Sequence, residues 1–561
     1  MFVCYYVLKM FFCLKKSSIF ASEMESLKDK TAKGLFWGGM NNGVQQLLGL
    51  AFGIILGRLL DPSDYGMTAM LAVFSVIANE LQSSGFKTGL INLREPKHED
   101  YNAVFWFNIV AGVVLYVALW FAAPLIADYY HEPKLIPLSR YVFLGFVFSS
   151  FGMAQSAYLT KQMQIKQIAK CGMTATLSSS LVSVAMAAMG FGYWALATQY
   201  LMYIAVNTIL LWYFSPWRPS VSRKEEGGTR NENCFEADQT TPNRRLLHED
   251  AIAYSGGENT LQGNLVPRIF HPLKKIFPFS FRIMLSAIFT QLNNNVMNLL
   301  LGHYYGKTNT GHYNQAYQWS SKCFLLVGNM LRQVDQTVLV EAGIANTSQQ
   351  GRERQLAVLR KMMRFTAFIS FPLLFCLAMV SHEFIVLAIG EKWAFAASLL
   401  PLLCLSGAFM PLSTLLTDSV ISQHRSDIYL WSTVVLGMLQ IAMMVSLWRQ
   451  GIVVMVWVYT FLNIIWVFVW HFFVRRLMGY RLLAFLKDIV PFALAAAAVM
   501  SLTWLLTEFI VYSLWFIDDY LKLWILLISR GVLAMLLYYA VMRVAGAVIL
   551  KEVIGFFTKK R

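Results

Sequence analysis

Lysine and arginine fill alternate gaps between the hydrophobic stretches of this chain. About fourteen apolar spans are legible, centred near residues 46, 76, 114, 149, 181, 203, 289, 328, 372, 410, 438, 463, 500 and 534. Each is roughly the twenty residues that a tilted helix needs to cross a bilayer. With the gaps numbered from zero at the amino terminus, the even ones hold 37 of the 47 Lys and Arg and the odd ones 7, while Lys322, Arg332 and Arg530 lie inside spans. The positive-inside rule then predicts both termini in the cytoplasm. Setting aside 218–276, with its nine basic residues, still leaves 28 against 7. One missed span would scramble the alternation, so the contrast supports the span count as well as the orientation. The expected fold class is all-α: a multi-pass polytopic membrane protein of about fourteen transmembrane helices.

Composition agrees. A chain that is 57% hydrophobic and 14% charged, with mean hydropathy +0.51, is far from the soluble norm of about a quarter charged residues. A net charge of +16 would suggest nucleic acid in a soluble domain. Here the basic residues are spread thinly over many loops, so they read as topology and anionic-lipid contact. The cysteines, Cys4, Cys13, Cys171, Cys234, Cys323, Cys376 and Cys404, form no CxxC and no Cys/His cluster, so neither a metal nor a disulfide framework is expected, and no cofactor.

Two regions are irregular. Residues 1–33 form an amino-terminal lead whose first part, 1–23, is apolar but interrupted by Lys9, Lys15 and Lys16. It reads either as an extension upstream of a start at Met24 or as an interfacial helix. Residues 218–276 are rich in Asn, Thr, Asp, Glu and Gly and offer no periodic apolar face, which reads as a cytoplasmic linker. The expected units are a first bundle at 34–217 (spans 1–6), this linker, a second bundle at 277–475 (spans 7–12), and two extra spans with a basic tail at 476–561.

An internal echo fits two bundles. Gly57-Arg58-Leu59-Leu60-Asp61-Pro62-Ser63-Asp64-Tyr65-Gly66 follows the first span, and Gly302-His303-Tyr304-Tyr305-Gly306-Lys307-Thr308-Asn309-Thr310-Gly311 follows the seventh. Both are short polar turns with a glycine at each end. They lie six spans apart, an even number, so a repeat of this length keeps its orientation and relates two lobes by an axis along the membrane normal.

The same residues carry a family resemblance. The first turn, with Gly57, Arg58, Pro62, Asp64 and Gly66, resembles the opening signature of the polysaccharide transporter family, the Wzx-type flippases of the multidrug, oligosaccharidyl-lipid and polysaccharide exporter superfamily. Asp100-Tyr101-Asn102-Ala103-Val104-Phe105-Trp106, Gly190-Phe191-Gly192-Tyr193-Trp194-Ala195-Leu196, Tyr313-Asn314-Gln315-Ala316 and Gly390-Glu391-Lys392-Trp393 resemble further segments of that family, as does 400–407. The likeness runs from Leu27 to about Arg543 apart from 218–276, and favours members exporting colanic-acid-type and teichuronic-type polysaccharide units. It implies two helical lobes around a central cavity and movement of a lipid-linked oligosaccharide by alternating access.

Polar groups in apolar helices must turn toward protein partners or a wet cavity. Asn41, Asn42 and Gln45 share a face of the first span, and Gln291, Asn294, Asn295 and Asn298 share a face of the seventh. Such amides suit a sugar headgroup, and equally suit interhelical hydrogen bonds. Arg332, inside span eight, is a candidate for the pyrophosphate of a polyprenyl carrier because its planar fork binds phosphate bidentately. An ion pair with Asp335 at i+3 is the alternative. Lys322 and Lys87 are further candidate cations; the alternative is outward snorkelling for Lys322 and a marker of the membrane edge for Lys87. Glu80, Asp335 and Asp418 are candidate sites for a coupling proton or sodium ion.

Gly190 to Ala195 spells GxGxxA, but without a surrounding βαβ unit it reads as a helix–helix turn. The sequence carries no P-loop, HExxH or GxSxG, which disfavours an ATP-driven pump. The function expected is therefore a non-enzymatic, secondary-active flippase of polyprenyl-pyrophosphate-linked oligosaccharide. The alternatives are an ion-coupled multidrug exporter of the same superfamily and an integral-membrane polymerase or ligase.

Overall fold

Lipid offers the backbone no hydrogen-bond partners, so each apolar span must satisfy its own N–H and C=O groups, which in a chain of this composition means helix. The computed structural model describes residues 43–83, 90, 96–220, 273–344, 349–423, 425–513 and 518–544, with backbone alone for 83, 273–283, 286, 331–344, 349–352, 426 and 510–513. The regular structure among the described residues is entirely helical. It comprises α1 (Gly43–Leu59), α2 (Pro62–Ser83), α3 (His98–Tyr129), α4 (Leu135–Ser150), α5 (Met153–Lys161), α6 (Ile165–Ala188) and α7 (Tyr193–Phe214). Then follow α8 (Leu273–Ile344), α9 (Gln349–Met379), α10 (Ser381–Ile389), α11 (Ala394–Ser422), α12 (Ser426–Leu447), α13 (Ile452–Met478), α14 (Leu482–Ser513) and α15 (Asp519–Val544).

Nine of the described helices are long and apolar enough to cross a membrane, and α4 with α5, bent by 44°, would make a tenth. The fourteen expected centres all fall inside described helices, but four of them, near 46, 76, 289 and 328, fall in α1, α2 and α8, which are not among these candidates; two of the four share α8. That helix is broken at Gly306, whose φ of 74° and ψ of −179° suit glycine alone, giving arms of 273–305 and 307–344. The break coincides with the second polar turn, which is why one continuous element holds two expected spans.

Contacts sort the connections between helices onto two faces. On one lie the 57–66 turn, the α3–α4 connection, the α6–α7 turn, the bend of α8, and the segments around 381–393 and 448–451. Arg58 bonds the carbonyls of Leu387 and Ala388, Lys307 pairs with Glu132, Gly192 abuts Asp64, and Tyr304 stacks on Trp448. On the other face Asn102 bonds the Ser220 carbonyl, Gln423 bonds Gln355, and Arg360 chelates Asp488. The first set consists of odd-numbered gaps and the second of even-numbered ones, as an alternating chain requires.

The cores divide likewise. The largest cluster is built mainly from residues between Val296 and Met542, while three smaller ones lie within the first half, apart from a flanking Leu299. What joins the halves is α8. Its first arm runs antiparallel to α2, with Gly302 against Met70 and Gln291 donating to Glu80 at 3.3 Å. Its second arm lies along α1, with Gly53 beside Lys322 and Gly57 near Gln315. These backbones approach closely because the contact positions are glycines: a Cβ on Gly66 would lie 1.7 Å from the Lys307 carbonyl oxygen, and one on Gly311 1.8 Å from that of Pro62.

Candidate functional site

A half-open cavity of about 310 Å³ lies at the junction of the halves, between α1, α2, α7 and the second arm of α8. Gly49, Phe52, Gly53 and Leu56 form one wall, Tyr65 and Thr68 a second, and Leu196 and Gln199 a third; Gln315, Gln318 and Lys322 complete it. The last three are spaced i, i+3 and i+7, which aligns them on one helical face. Two glycines on α1 leave room for the long Lys322 side chain, whose Nζ sits 4.0 Å from the Trp319 ring centroid. No carboxylate pairs with it among the described residues. Gln315 is buried, and its Oε1 has no hydrogen-bond partner among the described residues; Gln199 donates to Ser180 on α6. A cation, an unfilled amide acceptor and further amides in a cavity at the lower end of ligand-pocket volumes suit the anionic, hydroxyl-bearing end of a ligand.

Of the residues anticipated as substrate contacts, Lys322 lines this cavity. Gln45, Gln291, Asn294, Asn295 and Asn298 do not. Gln291 is engaged by Glu80, Asn295 donates to the Gln291 carbonyl one turn back, and Asn298 is buried beside α2. Asn294 is exposed. Neighbouring Asn293 donates to the Thr433 carbonyl of α12 at 2.7 Å, an interhelical bond. Asn41, Asn42 and Lys87 lie outside the described residues, as do the side chains of Arg332 and Asp335. Glu80 is half-buried between α2 and α8, and Asp418 is half-buried on α11. Gln199, Gln315 and Gln318 were not anticipated, although the i, i+3, i+7 spacing with Lys322 is visible in the sequence.

The signature residues gather on one face, immediately beyond the cavity. Pro62 opens α2, where its missing N–H costs nothing, and the Asp64 carboxylate accepts from the Asp61 N–H at 3.0 Å, capping the helix start. Gly390, at φ 100°, turns the chain so that Trp393 inserts fully buried and donates from Nε1 to the Gly57 carbonyl at 2.8 Å. Its ring also meets Tyr65, a cavity residue, edge-on at 5.3 Å. Gly57, Arg58, Gly66, Gly390 and Trp393 are thus parts of one interface between the halves.

An all-helical membrane fold enclosing a cation- and amide-lined cavity between two halves defines a polytopic membrane transporter. Residues 55–227 and 262–398 match the family described as polysaccharide biosynthesis protein, and the chain belongs to that family. Among its relatives, the lipopolysaccharide biosynthesis protein WzxC of Escherichia coli (strain K12) is 25% identical over 409 residues, covering 72% of each chain. The teichuronic acid biosynthesis protein TuaB of Bacillus subtilis (strain 168) is 22% identical over 480 residues, covering 84% of this chain and 88% of its own. The fold is that of the lipid II flippase MurJ in an inward closed conformation, with TM-score 0.60 at 11% identity over 91% of this chain and 99% of the other. It is shared with an inward-facing multidrug resistance MATE transporter of the MOP superfamily, with TM-score 0.56 at 14% identity over 78% and 94%.

Proposed function

We propose that the protein is a secondary-active flippase that carries a polyprenyl-pyrophosphate-linked oligosaccharide unit from the cytoplasmic to the outer leaflet for export of surface polysaccharide. The observation that carries this reading is Lys322: a cation held in a polar cavity at the junction of the halves, without a carboxylate partner among the described residues. Such a charge is retained within a membrane helix where an anion offsets its burial. Gln199, Gln315 and Gln318 supply hydrogen bonds for sugar hydroxyls. A volume of about 310 Å³ admits the phosphate and adjoining sugar rather than a whole oligosaccharide, so the remainder extends out of the cavity. Family membership supports the substrate class.

Arg332, ten residues further along α8 and so about 15 Å away, is proposed as a second phosphate contact nearer the opposite face. Glu80, Asp335 and Asp418 are the proposed sites for a coupling cation, H⁺ or Na⁺. The charge alternation places the 57–66 turn outside and both termini inside, with 34–217 and 277–475 as the repeated bundles. No catalytic step belongs to this reading.

Lys322 is tested by complementing a deletion strain and measuring surface polysaccharide at matched protein abundance. Lys322→Gln removes the charge and should cut export roughly tenfold or more, the equivalent of a lost charge-assisted hydrogen bond. Lys322→Arg should keep a substantial part. Normal export by Lys322→Gln would remove the phosphate role.

A further inference from the structure

The contacts across the face that carries the signature turns come in matched pairs. The first turn reaches the second half at the end of α10, the short helix that follows α9. There a Cβ on Gly57 would lie 2.5 Å from the Ile389 side chain, and Arg58 donates to the carbonyls of Ala388 at 2.9 Å and Leu387 at 2.5 Å. Lys392 pairs with Asp61 at 3.2 Å. The second turn, at the bend of α8, reaches the first half just after α3. A Cβ on Gly302 would lie 2.5 Å from the Tyr130 ring, and His303 Nδ1 lies 2.6 Å from the Tyr129 carbonyl. Lys307 pairs with Glu132 at 2.6 Å.

Constant offsets relate the two sets. A shift of 245 positions carries Gly57, Arg58, Pro62 and Gly66 to Gly302, His303, Lys307 and Gly311 (302 − 57, 303 − 58, 307 − 62, 311 − 66). A shift of 259 carries Tyr129 and Tyr130 to Ala388 and Ile389 (388 − 129, 389 − 130). The approach of Gly66 to Lys307 therefore maps onto that of Gly311 to Pro62 with the halves exchanged. The ion pairs fall one residue out of register and reverse polarity: an acid in the first turn meets a base, and a base in the second turn meets an acid. Two distant stretches of chain keep the same register against each other twice, which chance packing would not produce.

The pairs also roof the cavity. Leu56, Tyr65 and Gln315 line it, while Gly57 and Gly66, next in sequence, make the contacts above; a Cβ on Gly57 would lie 3.7 Å from Gln315 Nε2. We propose that this face carries a gate built as a reciprocal latch, in which each half's first turn grips the other half after its third span. Both grips must release before the cavity opens on that side. The direction assigned to the gate, outward, rests on the flippase reading above. A headgroup that takes Gln315 would act on a residue that also abuts the latch, which links occupancy to release.

The test uses the full chain in a cysteine-free background with two readouts. In the first, Gln318→Cys reports opening through labelling of intact cells by a membrane-impermeant maleimide. Adding Arg58→Ala, or Asp61→Asn with Glu132→Gln, should raise the labelling rate roughly tenfold, as expected when charge-assisted bonds favouring the closed state are lost. In the second, Asp61→Cys/Lys392→Cys and Glu132→Cys/Lys307→Cys are each oxidised to a disulfide. Either cross-link alone should reduce surface polysaccharide to background, and a reductant should restore it. Labelling unchanged in Arg58→Ala at normal abundance, or full export by a cross-linked protein, overturns the latch. Should Arg58→Ala fail to accumulate, the cross-links decide. If labelling rises while deletion of the gene leaves surface polysaccharide unchanged, the latch stands and the flippase reading falls.

Discussion

At the scale of single residues, polar side chains within the helices divide by what they touch. Asn293 and Gln291 meet neighbouring helices and hold them together, whereas Gln315 and Lys322 face open volume. Glycines divide in the same way. Gly66→Ala and Gly311→Ala should each destabilise the purified protein by about 1–3 kcal/mol or more, read as a lower Tm, because the new methyl group meets backbone that has no rotamer by which to yield. Gly328→Ala, with nothing within 4 Å of its Cβ position, is the control and should leave the Tm close to wild type. Equal melting of all three would show that close approach at the turns does not matter. Arg58 is likewise not free to meet a ligand, since its guanidinium is engaged by backbone carbonyls.

At the scale of elements, buried charges tie the last helices to the second half. Arg530 of α15 is 4% exposed and pairs with Glu383 of α10 at 2.6 Å, with Glu508 of α14 at 3.0 Å, and with the Thr507 hydroxyl. Arg530→Met should destabilise the protein by about 3–5 kcal/mol, since Glu383 is left buried without a counter-charge. Combining it with Glu383→Gln should recover much of the loss, and no recovery in thermal melts would show that the pair is not the source of the cost. A second tie joins α9 to α14, where Asp488 accepts a two-pronged bond from Arg360 and another from the Tyr480 hydroxyl at 2.9 Å. Burial, and then the Asp488 carboxylate, push the Tyr480 hydroxyl well above its ordinary range, so it remains a donor through physiological pH.

At the scale of the whole molecule, two expectations concern placement. With native cysteines removed, Ser63→Cys should react with an impermeant thiol reagent on intact cells and Ser222→Cys should not; the reverse pattern would invert the proposed orientation. Replacing 223–265 by a short Gly/Ser linker should leave export intact, because the closure entropy of a connection changes only slowly with its length. Loss of export at normal membrane abundance would instead assign that segment a function. The family match is itself interrupted between residues 227 and 262, inside this segment.

Helical class and the sorting of connections onto two faces were legible in the order of residues because both follow from local quantities. Hydropathy over about twenty positions sets where a helix is needed, and flanking lysine and arginine mark its side. The equal spacing of the turn glycines, 57 and 66 against 302 and 311, was visible too. The cavity was visible only in part. Lys322 stands out in sequence as a cation inside a span, whereas Gln315 and Gln318 are less conspicuous than the amide-rich face of Gln291, Asn294, Asn295 and Asn298, which is denser in sequence yet spent largely on helix contacts and exposed surface. Helical periodicity says which side chains share a face and nothing about what that face meets. Only the packing of α8 against α1 and α2 decides that 315, 318 and 322 look into open volume, and only the tertiary structure brings Gly302 against Tyr130 and Lys392 against Asp61, 331 positions away.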